Sequence, residues 1–421
     1  MKLRIEKAVY GGAGLARVPG GKTVFVGSSL PGELVEATLA QDKRSFATGE
    51  VDEVLEASPE RVVPNCEYVP RCGGCQYQHT NADFQLQMKL DILKETLSRA
   101  HLPCPAEMGS LSGPAWGYRN RIRLHRTQLG LGYHERGSHK LLAVNHCPIA
   151  APLLEGALAA VAGIAKETAL ENLCEEVEFF TNGEQDQLLL SLWPGATKGR
   201  PRERTFEKFA ELLHTKIPAL TGVGVFFQSE IMHWGERSLT YTVAGRPYQV
   251  SLGAFFQVNR FLVPGLMNLA LHDSTGQKRS GRVAWDLYSG VGLFARALDF
   301  EHVTAVESAG FSSDDLKHNL AGRSARVVRS STLDFLRRGA KEKQPDLILV
   351  DPPRAGLDKE ICALLGKIAA PEIVYVSCDP ATLARDLQSL LQFGYAIQTM
   401  HMVDLFPQTF HMETVTFLKR N

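Results

Sequence analysis

From about residue 251 onward, short apolar runs alternate with helical stretches: 283–288, 303–306, 326–328, 347–350, 373–376 and 410–418. Continuous apolar runs belong to strands buried on both faces, and strands joined through helices pair in parallel. This part of the chain is therefore constrained to a doubly wound, Rossmann-like α/β sheet. In such sheets ligands bind at the carboxyl ends of the strands, so the residues that end each run are the first candidates for function.

The first run leads into Asp286-Leu287-Tyr288-Ser289-Gly290-Val291-Gly292, and Glu307 ends the second, 21 residues after Asp286. Glycines let a ligand approach the backbone, and an acidic side chain can accept from two ribose hydroxyls. The alternative is a tight turn with an incidental glutamate. The third glycine of a dinucleotide fingerprint is absent, so S-adenosylmethionine, which carries no phosphate, fits better than NAD. Run 347–350 ends in Asp351-Pro352-Pro353-Arg354. Methyltransferases acting on the amino groups of adenine and cytosine use a related motif with an aromatic residue last; Arg354 in that place argues against an exocyclic amine.

Run 373–376 delivers Cys378, in Ser377-Cys378-Asp379-Pro380, and Glu413 follows 35 residues later at the head of another strand-like run. Alone, a buried cysteine or glutamate is more often structural. Beside a methyl donor they suggest a reaction. Carbon 5 of a pyrimidine becomes nucleophilic only after a nucleophile adds to carbon 6, a task suited to Cys378. The proton on carbon 5 must then leave, which calls for a general base such as Glu413.

A chain of 421 residues is long enough for two or three domains. Residues 1–58 show short strands separated by glycine turns, the spacing of a small β-barrel. Pro59 and Pro64 precede a cysteine cluster, and residues 80–99 form an amphipathic helix with Thr80 as N-cap and Leu86, Leu90, Leu93 and Leu97 on one stripe. Residues 59–250 are mixed in pattern, with strands near 121–124, 188–192 and 222–227 and a helix within 152–169. Residues 251–421 form the α/β unit. The longest apolar stretch, 156–165, is about half of what a membrane helix needs, and the opening residues alternate apolar and charged, so a cytoplasmic protein is expected.

Charges balance at 46 basic against 46 acidic. Any nucleic-acid contact must rest on local patches, of which 116–140 is one: Arg119, Arg121, Arg123, Arg126, Arg136 and Lys140 interleave with Trp116, Tyr118 and Tyr133. This suits single-stranded or looped RNA, and equally a half-buried strand pair with a solvated basic face. Cys66, Cys72 and Cys75 fall within ten residues, with Cys147-Pro148 downstream. In a reducing compartment such clustering implies metal; four thiolates hold either zinc or an iron-sulfur cluster, and C-x5-C-x2-C is not a common zinc spacing.

Together these motifs resemble the RNA (uracil-5-)-methyltransferases that carry an N-terminal TRAM barrel and a [4Fe-4S] cluster, most closely those acting on 23S rRNA. Tyr10-Gly11-Gly12-Ala13-Gly14-Leu15-Ala16-Arg17 is similar to the TRAM glycine turn, Cys72-Gly73-Gly74-Cys75-Gln76-Tyr77-Gln78 to the cluster motif, and Tyr118-Arg119-Asn120 to a segment of the central RNA-contacting domain. The resemblance implies a cluster held by Cys66, Cys72, Cys75 and Cys147. It implies S-adenosylmethionine contacts from Gln257, Tyr288, Gly290, Glu307 and Asp351, with Asp334 near the adenine, and a nucleophile and base at Cys378 and Glu413. It also implies that the last strand runs antiparallel beside the fifth, bringing those two together. A monomer acting on RNA, 23S rRNA or a tRNA, is expected; the other-class alternative is an inactive RNA-binding scaffold. Asp379 departs from the asparagine usual beside the nucleophile and would raise the thiol's pKa. Leu293 replaces the family's small or polar residue, and residues 311–320 are less alanine-rich than the corresponding helix.

Overall fold

Alternation of inward apolar and outward polar residues sets the N-terminal architecture. In the computed structural model, which describes the chain except residues 106–107, 166, 169, 196–201, 228–229, 274 and 339–343, this region forms β1 (Lys2–Arg4), β2 (Lys7–Val9), β3 (Ala13–Arg17), β4 (Thr23–Gly27), β5 (Leu34–Asp42) and β6 (Phe46–Glu56). Their order is β1-β5-β6-β4-β3-β2. At the bend between β1 and β2, the Ile5 amide donates to Glu33 O and the Glu6 amide to Leu15 O. One segment thus joins both edges of the sheet and closes it around Leu3, Ile5, Val24, Val26 and Val35. The glycine turn is shorter than the sequence suggests: Gly11 and Gly12 make it, at φ +103° and +88°, and β3 begins at Ala13.

Helix α1 (Ala82–Arg99) is capped by Asn81, whose side chain accepts from the Phe84 amide at 2.8 Å, and not by Thr80. The Thr80 hydroxyl donates instead to Glu60 O. Leu93 and Leu97 are buried as expected, together with Met88 and Ile92, while Leu86 and Leu90 lie at the margin of the same cluster. After β7 (Gly109–Leu111) come β8 (Arg121–Thr127), β9 (Gly130–His134), β10 (Leu141–Ala143), α2 (Pro152–Ile164), β11 (Glu176–Thr181), β12 (Leu188–Trp193), α3 (Glu203–Lys216), β13 (Leu220–Phe227) and β14 (Glu230–Gly235). These strands form a second sheet, β10-β9-β8-β11-β12-β13-β14, whose apolar face is covered by α2 and α3.

A hairpin of β15 (Ser238–Val243) and β16 (Arg246–Ser251) and helix α4 (Val263–Leu271) lead into the third sheet. It contains β17 (Ser280–Leu287), β18 (Asp299–Glu307), α5 (Gly310–Asn319), β19 (Ala325–Arg329), α6 (Thr332–Arg338), β20 (Leu347–Val350), α7 (Lys359–Ile368), β21 (Glu372–Ser377), α8 (Pro380–Gln392), β22 (Tyr395–Val403) and β23 (Glu413–Arg420). The order is β19-β18-β17-β20-β21-β23-β22-β7, with β17 to β21 parallel and β23 antiparallel to both its neighbours. The multidomain α/β reading holds, with three differences of detail, the first being that β7 and α1, both within 59–250, join the third sheet and its core. The last strand starts at Glu413, not Phe410. Strand β22 is additional: Gln398, Thr399 and His401 interrupt its apolar residues, so it shows no continuous run. Among the described residues no helix is long and apolar enough to cross a membrane.

Candidate active site

The crevice at the carboxyl edge of the third sheet is built from strand ends. After β17 the chain turns sharply, with Tyr288 and Gly290 both in the left-handed region at φ +65° and +55°. Tyr288 holds that conformation at a cost its neighbours must offset: the Ser289 hydroxyl donates to Asp286 O at 2.6 Å and the Gly292 amide to Ser289 O at 2.8 Å. A Cβ at Gly290 would meet nothing within 4 Å, so its backbone borders open space. Glu307 fixes this loop, one oxygen accepting from the Gly290 amide at 2.9 Å and the other from Ala309. Asp286 is fully buried; Oδ2 accepts from the Ala295 amide and Oδ1 has no partner among the described residues. Burial, reinforced by Asp351 and Glu307, pushes its carboxyl up to about 8.

Asp351 ends β20, and Gln257 Nε2 donates to its Oδ2 at 3.3 Å. Gln257 is itself anchored, because Asn120 Nδ2 donates to Gln257 O and to the Tyr241 hydroxyl, both at 2.9 Å. The Tyr118-Arg119-Asn120 segment therefore works here as a brace for the Gln257 loop. Burial raises the Asp351 carboxyl. Asp334 makes local contacts at the start of α6, accepting from the Ser331 hydroxyl and facing Arg337.

Register brings the thiol and the glutamate together. Ser377 pairs with Thr414, so Cys378 and Glu413 leave adjacent strands at the same end. Glu413 is 3% exposed, its Oε1 has no hydrogen-bond partner among the described residues, and burial next to Asp351 raises its pKa well above the ordinary range. Burial, then Glu413 and Asp351, push the Cys378 thiol up to about 12; Arg354 opposes them, and Asp379 adds the smallest push. Asp379 caps α8, accepting from the Ala381 and Thr382 amides at 3.0 and 2.9 Å, where the helix N-terminus favours its charge. Two side chains went unassigned in the sequence reading. Arg354 Nη2 lies 3.2 Å from His411 Nε2, and burial and Arg354 push His411 down to about 4, leaving a neutral ring beside the guanidinium. Their signal was position alone, Arg354 just after Asp351-Pro352-Pro353 and His411 two residues before Glu413.

A second site lies between the 66–78 segment and the second sheet. Cys66, Cys72, Cys75 and Cys147 all line one cavity of about 350 Å³. The Gly74 amide donates to Cys72 Sγ at 3.4 Å and the Tyr133 hydroxyl to Cys147 Sγ at 3.8 Å. Among the described residues no three His, Cys, Asp or Glu side chains converge on one ion position. Arg119 also borders the cavity, its guanidinium near the Tyr118 and Phe406 rings. Four thiols around a roomy cavity, with amide and hydroxyl donors on the sulfurs and a cation at the wall, fit a polynuclear, negatively charged group. Cys104, Cys174 and Cys362 lie elsewhere, the first exposed and the others buried.

The rest of the basic segment is engaged within the protein. Arg121 pairs with Glu178 at 2.8 Å, Arg123 with Glu176, and Lys140 faces Glu135. Arg126 donates to Cys174 O, and Arg136 to Ser28 Oγ and Cys75 O.

Known proteins share this architecture. Residues 81–421 match the tRNA (uracil-5-)-methyltransferase family and residues 1–51 the TRAM domain. The 23S rRNA (uracil(1939)-C(5))-methyltransferase RlmD of Histophilus somni is 30% identical over 99% of this chain and 95% of its own. An uncharacterized RNA methyltransferase of Thermotoga maritima is 30% identical over 99% of both chains. The crystal structure of Pyrococcus abyssi tRNA (uracil-54, C5)-methyltransferase in complex with S-adenosyl-L-homocysteine superposes with a TM-score of 0.76 over 99% of this chain and 100% of that one, at 23% identity.

Proposed function

The chain belongs to the tRNA (uracil-5-)-methyltransferase family, whose members transfer methyl groups from S-adenosylmethionine to RNA uracil, and from that premise we propose that it methylates one uridine of 23S rRNA through a covalent adduct at Cys378. The rRNA assignment draws on the relative from Histophilus somni, similar along its whole length. A tRNA uridine is the second reading, favoured by the fold shared with the Pyrococcus abyssi enzyme. The observation that carries the chemistry is the β21/β23 register, with a buried Glu413, whose Oε1 has no hydrogen-bond partner among the described residues, beside a half-buried thiol.

In this reading the target base is flipped into the crevice. Cys378, once its proton has passed to solvent, bonds as thiolate to carbon 6, and the displaced electron pair moves onto carbon 5 and the neighbouring carbonyl as an enolate. S-adenosylmethionine, when bound, supplies the methyl electrophile. Glu413, as carboxylate, takes the proton from carbon 5; the electrons left behind restore the ring double bond and expel Cys378 as thiolate. A carboxyl whose pKa is raised by burial is a stronger base than one in water. Gln257, Tyr288, Gly290, Glu307 and Asp351 hold the cofactor, with Asp334 added for the adenine. Residues 1–58 serve as an RNA-binding barrel, 59–250, apart from α1 and β7, as a central RNA-contacting domain, and 251–421 together with those two elements as the catalytic domain of a cytoplasmic monomer.

Methyl incorporation into RNA, mapped by mass spectrometry, tests the central role. Cys378→Ala is expected to lose at least ~10³-fold in rate; near-normal transfer by that variant would overturn it. Cys66, Cys72, Cys75 and Cys147 hold a [4Fe-4S] cluster in the same proposal, a group that contributes cross-links between distant segments. Anaerobically purified protein is expected to be brown with bound iron and sulfide, whereas stoichiometric zinc would refute the assignment.

A further inference from the structure

The segment 404–412 joins β22 to β23, carries His411 and delivers Glu413. It has no regular structure, so its carbonyls need partners from elsewhere in the chain, and four consecutive ones find them. Asn259 Nδ2 donates to Leu405 O, Lys89 Nζ to Phe406 O and the Tyr118 hydroxyl to Pro407 O, each at 3.0 Å. The Gln76 and Tyr77 amides, directly after Cys75, donate to Gln408 O at 2.9 and 3.0 Å. A loop fastened this closely is part of the scaffold.

Gln408 is where the loop turns. It is a non-glycine residue at φ +69° and 3% exposed, a strained conformation that persists only where neighbours fix it. Gln85 of α1 does so with its amide: Oε1 accepts from the Gln408 amide at 2.9 Å and Nε2 donates to Gln408 Oε1 at 3.0 Å. Nε2 also donates to Tyr77 O and Thr80 O, at 3.1 and 2.9 Å. Gln85 is 1% exposed, and Lys89, one turn further along α1, is fully buried with Nζ 2.6 Å from Asp404 Oδ1. Polar side chains facing inward from a helix cost stability unless their hydrogen bonds are made, and both of these make them to this one loop. Beyond the turn, the Thr409 hydroxyl donates to Phe406 O at 2.9 Å and accepts from the His411 amide at 3.2 Å, which carries the fixed geometry on toward Glu413.

Building on the assignment of Glu413 as the base, we propose that Gln85 is a positioning residue of the reaction: by holding Gln408 in its left-handed turn it sets where the Glu413 carboxylate stands against carbon 5 of the methylated adduct. The step it serves is the last one, in which that carboxylate takes the proton and the electrons left behind expel Cys378 as thiolate. Methyl transfer, which needs the thiol and the cofactor, precedes it.

The test follows a single turnover of full-length protein with S-adenosylmethionine and RNA, quenched in denaturant at successive times. Total 5-methyluridine reports transfer, and the part still linked to protein reports release. In Gln85→Leu, clearance of the methylated adduct is expected to slow by roughly tenfold or more beyond any change in transfer. Glu413→Gln, run in parallel, is expected to hold the adduct longer still. An adduct that persists in Glu413→Gln but clears at the parental rate in Gln85→Leu overturns the proposal and leaves the base assignment standing. Equal slowing of transfer and clearance in Gln85→Leu also overturns it, because a merely structural role lowers both together. No persistent adduct in Glu413→Gln defeats the base assignment itself, and the proposal with it. Gln408→Met covers the case in which Gln85→Leu does not fold, since it keeps the side-chain volume and removes the bond from Gln85 Nε2. A smaller delay in clearance is expected there, and none would overturn the proposal.

Discussion

Arg121, in the second sheet, and Glu413, at the edge of the third, are both buried ionisable side chains in strands. Arg121 meets Glu178 at 2.8 Å and lies over the Phe180 ring at 4.0 Å, although its Nε and Nη2 have no hydrogen-bond partner among the described residues; Glu413 has neither an ion pair nor a partner for Oε1 among them. Around Arg121 opposite charges are matched across β8 and β11. Around Glu413 carboxyls are gathered instead: burial raises both Glu413 and its neighbour Asp351, Asp286 beside Asp351 is raised as well, and Arg354 opposes the rise at Glu413. Matched charge is the mark of a structural element. Unmatched buried carboxyls beside a thiol destabilise a fold and are retained where a proton must move. The dense run of arginines is matched within its own sheet, whereas the isolated acidic residues at the strand ends are not.

The contrast can be broken at either end. On the structural side, Arg121→Met leaves Glu178 buried without its partner and is expected to destabilise the protein by about 3 kcal/mol in chemical denaturation. Arg121→Met combined with Glu178→Leu is expected to recover most of that loss; a double variant no better than the single would mean that Arg121 is held by more than its ion pair. On the catalytic side the effect is smaller and depends on pH. The folded state holds a proton on Asp286 up to about pH 8, while in the unfolded chain an aspartate releases it near ~3.9. Between those values the folded state binds more protons, so this group's contribution to stability falls as pH rises. Asp286→Asn removes that slope and keeps an acceptor for the Ala295 amide. Its stability relative to the parent is expected to improve by more than about 1 kcal/mol between pH 5 and pH 8; a pH-independent difference would mean that Asp286 is ionised in the fold.

How much of this was legible in the sequence follows from the same physics. Strands β17, β18, β20 and β21 are buried on both faces and showed themselves as apolar runs, so the residues ending them, Asp286, Glu307, Asp351 and Cys378, could be named. β22 carries polar residues at intermediate burial and stayed hidden. Asn81 and Thr80 are both good caps; Glu60 takes the Thr80 hydroxyl and the Asn81 Nδ2, which leaves Asn81 Oδ1 free to accept from the Phe84 amide. The pairing of Arg121 with Glu178, 57 residues apart, depends on strand register, which no local pattern encodes. Arg354 and His411 were visible as residues, but their contact needs the fold. Tyr10 packs edge-on against Phe410 in the loop before β23, a relation with no trace in either motif.

The most direct measurement incubates Glu413→Gln with S-adenosylmethionine and RNA, then resolves the products under denaturing conditions and identifies any protein-linked RNA by mass spectrometry. Glutamine keeps the shape and removes the base, so methyl transfer is expected to proceed while release stalls, leaving a methylated uridine attached through Cys378 and turnover reduced by roughly 10²-fold or more. Turnover at the parental rate, or its loss with no adduct at Cys378, would contradict the assignment of Glu413 as the base that frees the product.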